Sequence, residues 1–165
     1  MSITITRSDG SRVPFNADRI NRSIERACAG LTDPIAMVTQ IATETQLTLY
    51  DGITEDELDY ATINAAIQNI KEDTEYDKVA TRLLLKTVYR KVLGNYNKED
   101  SADLKKKHRD GFITYVKNGV KDGKLHPDME AKFKLGDLAD CLSVERDELF
   151  LYAGLDSLLN RYALK

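Results

Sequence analysis

The opening of the chain constrains the fold most, because it combines a short β-hairpin with the start of a helix. Residues 3–6 alternate isoleucine with threonine, which is typical of a strand with one apolar face. Asp9-Gly10 supplies a tight turn, and residues 12–15 can return as a second strand whose proline requires an edge or terminal position. Asn16 then predicts a helix N-terminus and Gly30 its end.

Two further helix starts are marked by capping residues. Asp33-Pro34 places an N-cap before a proline at the first helical position. The helix that follows carries Ile35, Val38, Ile41, Ala42 and Thr45. Thr54 and Glu57 form the pattern of a capping box, with Ile53 and Leu58 as its hydrophobic staple. Residues 47–50 between these starts fit either a third strand or the end of a helix.

The remaining pattern is helical. Residues 76–93 predict a fourth helix that ends in Arg90-Lys91 before Gly94. Residues 95–103 are polar and predict a linker or a helix entry. Three apolar runs then predict three further helical segments: Phe112, Val116 and Val120; Phe133, Leu135, Leu138 and Leu142; Leu149, Leu151, Tyr152, Leu155, Leu158 and Leu159. We therefore expect an α+β fold that is mainly α, in which a small N-terminal hairpin or three-stranded sheet caps four helices and a helical extension follows.

Composition excludes several classes of protein. The net charge of −3 argues against a general nucleic-acid binder, and neither a membrane-spanning run nor an export signal is visible. Cys28 and Cys141 are too far apart to form a zinc-ribbon pair, which together with the missing export signal favours a reducing cytoplasm. We expect both thiols to be buried as small apolar groups.

No catalytic constellation can be identified. His108 and His126 have no nucleophile beside them in sequence and are expected at the surface. Neither glycine-rich phosphate loop, of the P-loop or the Rossmann type, is present. The basic run at residues 104–109 could contact phosphate or nucleic acid, but the acidic residues around it favour a solvated helix face.

Three arginines suggest a phosphate site if the fold brings them together. Arg7 lies on the hairpin, Arg19 in the first turn of the next helix, and Arg90 at the end of the fourth helix. Converging cations require an anion such as a polyphosphate, whereas dispersed surface arginines require none. From spacing alone the dispersed arrangement is favoured.

A family resemblance shifts this balance towards the phosphate site. The relevant stretches are "TRSDGSRVPFNADRINRSIERA", "LYDGITEDELDYATINAA" and "EYDKVATRLLLKTVYRKVLG". In this order they resemble the beginning, middle and last helix of an ATP-cone domain, covering roughly residues 3–94. Farther on, "DELFLYAGLDSLLNRYALK" is similar to the segment that follows the cone in ribonucleotide reductase large subunits.

The resemblance implies a regulatory function. Residues 1–94 would be the ATP-cone, and residues 95–165 a helical region leading to a catalytic barrel outside this sequence. ATP, with Mg²⁺, would favour the active enzyme and dATP an inactive homo-oligomer of the large subunit. A radical-generating small subunit is a further implied partner; DNA and membrane are not. The parent polypeptide would be an oxidoreductase of the cytoplasm, and this portion of it carries no catalytic residue.

The same resemblance assigns the site residues. Arg7, Arg19 and Arg90 match phosphate-binding lysines of the family, and Asn16 matches a polar contact to the nucleotide. Ile5, Ile20 and Leu49 match the apolar clamp on the base. Asp59 matches the position near the sugar that separates ATP from dATP.

Three positions depart from the family pattern. Ser8 stands where arginine is usual, Val13 where a glutamate often reads adenine, and Glu55 where a threonine lies near the phosphates. A lost cation and a gained anion weaken the electrostatic attraction for a triphosphate. The alternative is therefore a cone that no longer binds nucleotide and serves only subunit assembly. A nucleotide-sensing transcriptional regulator is a more distant alternative, disfavoured by the net charge and by the missing zinc ligands.

Overall fold

A computed structural model describes residues 3–7, 9–94 and 101–163. They divide into two compact units, Met1–Leu85 with Leu151–Leu155, and Lys86–Phe150 with Asp156–Lys165. Within the described residues, no helix is long and apolar enough to cross a membrane.

A three-stranded sheet opens the first unit. The strands are β1 (Thr4–Thr6), β2 (Arg12–Pro14) and β3 (Ile53–Thr54), in the order β2-β1-β3. β2 runs antiparallel to β1, and β3 runs parallel to it. Gly10 has a φ of +81°, a left-handed conformation that glycine adopts without steric cost, so the hairpin turn forms at the predicted residue.

Four helices follow along the chain, and the last of them continues past Leu85, where the first unit ends. They are α1 (Ala17–Cys28), α2 (Pro34–Leu47), α3 (Glu55–Gln68) and α4 (Glu75–Leu93). The three predicted N-caps are confirmed, because the side chains of Asn16, Asp33 and Thr54 each accept a hydrogen bond from a backbone N–H three residues later. These local bonds fix where α1, α2 and α3 begin.

Two apolar clusters hold the first unit together. The larger lies among the helices and includes Ile24, Met37, Ile41 and Val79, all at most 2% exposed. The smaller joins the sheet to α3 through Ile5, Ile53 and Leu58. The predicted mainly α fold with a small capping sheet is confirmed.

The second unit is built around α5 (Ser101–Lys121), which packs against α6 (Asp128–Ala131), α7 (Leu135–Asp140) and a 3₁₀ helix, Val144–Leu149. The basic run predicted to be a solvated helix face lies on α5. Within it, Lys105 pairs with Glu145 at 2.8 Å, and Arg109 pairs with Asp140 at 2.6 Å. The chain continues through α8 (Tyr152–Ser157) and a π-helical segment, Leu158–Tyr162.

The structure resolves the alternatives at residues 47–50. α2 runs to Leu47, and the third strand lies later, at β3. Leu47 is 82% exposed and Ile35 is 80% exposed. α2 buries Met37, Ile41 and Thr45, and Ile35 lies on the other side of the helix.

The structure corrects three expectations, which concern Cys141, Phe133 and His108. Cys141 is exposed, because it follows the short α7 at its C-terminal end, whereas Cys28 is buried as expected. Phe133 lies between α6 and α7 and is half exposed, so its apolar run is not one helix. His108 is half-buried against Tyr89, with ring centroids 4.9 Å apart, and burial lowers its pKa; His126 is exposed as predicted. Of the predicted linker or helix entry at residues 95–103, residues 95–100 lie outside the described residues, and α5 begins at Ser101.

Candidate functional site

An apolar cluster lies where the sheet meets the first turns of α1 and α3. Ile5 is buried within it, and Ile20 and Leu49 are half-buried and pack against it. These three residues come from β1, from α1 and from the loop after α2. The fold therefore brings together the whole apolar clamp predicted from the sequence, although the members are far apart along the chain.

Arg7 leaves the sheet directly after β1. Its backbone N–H donates to the Ser11 carbonyl at 2.8 Å, and its own carbonyl accepts from the Gly10 N–H at 2.9 Å, which fixes its backbone in the turn. The parallel register pairs Thr6 of β1 with Thr54 of β3. Arg7 and Glu55 therefore follow these two strands at the same end of the sheet. Ser8 lies outside the described residues.

Arg19 contacts Glu55 across the same end of the unit. Arg19 Nη1 lies 3.8 Å from Glu55 Oε1, and the two side chains are 68% and 26% exposed. This ion pair joins the first turn of α1 to the first residue of α3. An ion pair with one well-solvated partner contributes at most about 1 kcal/mol to stability, so a stronger anion can displace the carboxylate.

Asn16 holds the entry to α1. Its Oδ1 accepts a hydrogen bond from the Arg19 N–H at 3.2 Å, which satisfies one of the free donors of the first turn. The side-chain oxygen of Asn16 is thus used within the chain, and its amide NH₂ is the group that can donate to a ligand.

The N-terminus of α3 is already occupied by carboxylates of the chain itself. Glu57 Oε2 accepts from the Thr54 N–H at 2.9 Å and from the Thr54 hydroxyl at 2.7 Å. These bonds, with a smaller contribution from the Tyr50 hydroxyl, lower the pKa of Glu57. Since Glu55 lies in the same turn, the helix dipole here offers little additional attraction to a phosphate.

Asp59 lies one turn beyond Glu55 on the same face of α3 and is half-buried. Its contact with the sugar stays a prediction. Arg90 lies near the end of α4, in the second compact unit, and its role as a third phosphate ligand stays a prediction.

A set of long-range hydrogen bonds beside the site has no signal in the sequence. Asp51 accepts from the Thr4 N–H at 2.8 Å and the Thr4 hydroxyl at 2.7 Å, and the Thr6 hydroxyl donates to the Gly52 carbonyl at 2.9 Å. The Thr4 bonds, with a smaller effect of the Arg12 guanidinium, lower the pKa of Asp51. These hydrogen bonds connect the loop that carries Leu49 to β1, and the bonded residues are 46 and 47 positions apart in the sequence.

The described residues contain no group of three or more His, Cys, Asp or Glu side chains that could hold a metal ion.

Comparisons with known proteins agree with the sequence resemblance. The family model described as ATP cone domain matches residues 3–91. The chain is 32% identical over 163 residues to the ribonucleoside-diphosphate reductase subunit alpha of Chlamydia trachomatis, covering 98% of this chain and 15% of that protein. The same-named subunit of Helicobacter pylori is 30% identical over 99% of the chain and 19% of its own length.

A third relative, the ribonucleoside-diphosphate reductase 1 subunit alpha of Escherichia coli, is 26% identical over 99% of the chain and 20% of its own length. Among these three curated relatives, the chain spans between 15% and 20% of the relative's length.

Proposed function

Because this chain belongs to the ATP-cone domain family, we propose that it is the N-terminal regulatory portion of a ribonucleotide reductase large subunit. Residues 1–94 would form the regulatory cone, and residues 95–165 the helical region that leads into the catalytic part of the enzyme. The match of residues 3–91 to the family model, and the similarity of nearly the whole chain to reductase subunits, support this division.

The proposed ligand is an adenine nucleotide, bound where the sheet meets α1 and α3. The observation that carries this proposal is the convergence of an apolar cluster with a basic side chain, since Ile20 and Leu49 both pack against the cluster that contains Ile5, and Arg19 precedes Ile20 in α1. The apolar side chains would hold the base, and Arg7 and Arg19 would bind the phosphates through charge-assisted hydrogen bonds. Asp59 would contact the sugar.

The proposed effect of the nucleotide is allosteric. ATP would favour the active assembly of the large subunit, and dATP an inactive homo-oligomer, with a radical-generating small subunit as a further partner in the cytoplasm. Such control requires that the two nucleotides differ in their affinity for the two assembly states.

Titration calorimetry with ATP and with dATP, in the presence of Mg²⁺, tests the site. We expect binding to the wild-type chain and a loss of at least about tenfold in affinity for Arg7→Ala and for Arg19→Ala. Arg26→Ala is the matched control, because it removes the same charge from the last turn of α1. Equal affinities of all four proteins would exclude the assigned site, and Arg90→Ala tests the remaining prediction in the same way.

A second candidate function is an assembly module that no longer binds nucleotide. The contact of Glu55 with Arg19 favours this function, because Arg19, a predicted phosphate-binding residue, is already paired with a carboxylate of the chain. Sedimentation over a range of concentrations separates the two functions. Oligomers whose distribution is the same with ATP, with dATP and without nucleotide would support the assembly module.

A further inference from the structure

Glu55 differs from the other acidic residues of the first turn of α3. The carboxylate of Glu57 is bound by Thr54 within the capping box. Glu55 instead extends towards the first turn of α1, where it lies 3.8 Å from Arg19, and its side chain is 26% exposed. It also follows Thr54 at the end of the sheet where Arg7 follows Thr6.

This position gives the phosphate end of the proposed site an unusual charge. Arg19 and Glu55 form an ion pair here, and Arg7 follows β1 at the same end of the sheet, so the charges of these three residues sum to a single positive charge. A free triphosphate carries several negative charges, and it would be repelled by this carboxylate while it competes for Arg19. Because the Glu55 side chain is only 26% exposed, screening by salt only partly removes that repulsion.

A divalent cation reverses the sign of this interaction. Mg²⁺ is usually bound by one or two carboxylates together with the phosphates of a nucleotide, and it neutralises two of their charges. Glu55 provides a single carboxylate of this kind beside the proposed phosphate position. The donor set therefore fits a metal that arrives with the nucleotide.

We propose that Glu55 is a specificity-determining residue that makes the site select the magnesium complex of a nucleoside triphosphate over the free polyanion. This inference rests on the proposed nucleotide-binding function. In the absence of nucleotide, the Glu55 carboxylate pairs with Arg19. When the magnesium complex of the nucleotide binds, the same carboxylate becomes a ligand of the cation and no longer competes with the phosphates.

The test compares nucleotide affinities with and without the metal. The wild-type chain, Glu55→Gln and Asp56→Asn are titrated with ATP in excess Mg²⁺ and in EDTA, at equal ionic strength. Asp56→Asn is the matched control, since it removes an equal charge from the same helical turn. Thermal unfolding of each variant without nucleotide confirms that the fold is retained.

We expect the wild-type chain and Asp56→Asn to bind the magnesium complex at least about tenfold more tightly than free ATP. Glu55→Gln should bind the two forms with nearly equal affinity, because its affinity for free ATP rises. The inference is overturned if all three proteins bind ATP with the same ratio of affinities. If neither the wild-type chain nor Glu55→Gln binds ATP in either medium, the proposed nucleotide site itself is wrong and the inference fails with it.

Discussion

The capping box at the start of α3 allows a quantitative test of how the site is held in place. Thr54→Val keeps the β-branched shape and the backbone N–H that β3 requires, but removes the hydroxyl. The hydroxyl accepts from the Glu57 N–H at 3.2 Å and donates to Glu57 Oε2 at 2.7 Å, so both bonds are lost. Removing such a cap typically costs about 1 kcal/mol, and water can reach this half-exposed turn, so we expect no more than that.

Equilibrium unfolding in urea, with the slope unchanged, measures this loss directly. In a protein of this size, about 1 kcal/mol corresponds to a decrease of roughly 2–4 °C in the melting temperature. Glu57→Ala and the double variant complete a double-mutant cycle, and Glu57→Gln is the control, because glutamine can retain the reciprocal bond to the Thr54 N–H. We expect the two single losses to overlap, so that the double variant loses less than their sum. A change below about 0.3 kcal/mol for Thr54→Val, or strictly additive losses, would refute the reasoning.

The same box predicts a pH dependence with a definite sign. The Thr54 N–H and hydroxyl stabilise the ionised carboxylate and so hold the pKa of Glu57 below its usual value of 4.5. The contribution of these hydrogen bonds to the free energy of unfolding is therefore present above pH 4.5 and is lost as the pH falls below that value. Glu57→Gln should decrease the acid loss of stability, which unfolding curves at a series of pH values would show.

Three further predictions follow from burial and pairing. Ile24→Ala should lower the free energy of unfolding by about 2–5 kcal/mol, whereas Ile35→Ala should change it by less than about 0.5 kcal/mol, because Ile24 is fully buried and Ile35 is exposed. Cys141 should react with a thiol reagent in the native protein and Cys28 only on unfolding, since burial raises the pKa of Cys28 to about 11; two equally fast thiols would contradict this. The hydrogen bond from Lys105 holds the pKa of Glu145 at about 2, so its carboxyl resonance should titrate far below 4.5, and the pair should be lost only as the pH falls towards 2.

Much of the first unit could be predicted from the sequence because its signals are local. A cap such as Asn16 or Thr54 bonds to a backbone group three residues away, and Gly10 adopts its conformation regardless of distant contacts. The pairing of β3 with β1 is different, since Ile5 and Ile53 are joined only by the folded chain. Nothing in a two-residue strand distinguishes it from a loop before its partner is known.

The site illustrates the same limit. The family pattern predicted which residues belong together, and the described residues bring Ile5, Ile20 and Leu49 into one cluster. The contact between Arg19 and Glu55 had no signal of its own, because it depends on the relative placement of two helix starts. Apolar spacing was likewise insufficient for Phe133, since α6 and α7 are separate short helices.

The departures of this chain from its family have a common physical consequence. Val13 lies opposite Ile5 in the sheet and packs against the apolar cluster, so it adds contact area where a glutamate would add a hydrogen bond to the base. Glu55 adds a carboxylate where the phosphates would bind. Apolar contact discriminates weakly between bases, because every base offers an apolar face, whereas a carboxylate among cations discriminates strongly by charge. The proposed site is therefore better suited to distinguish the charge state and metal content of a nucleotide than the identity of its base.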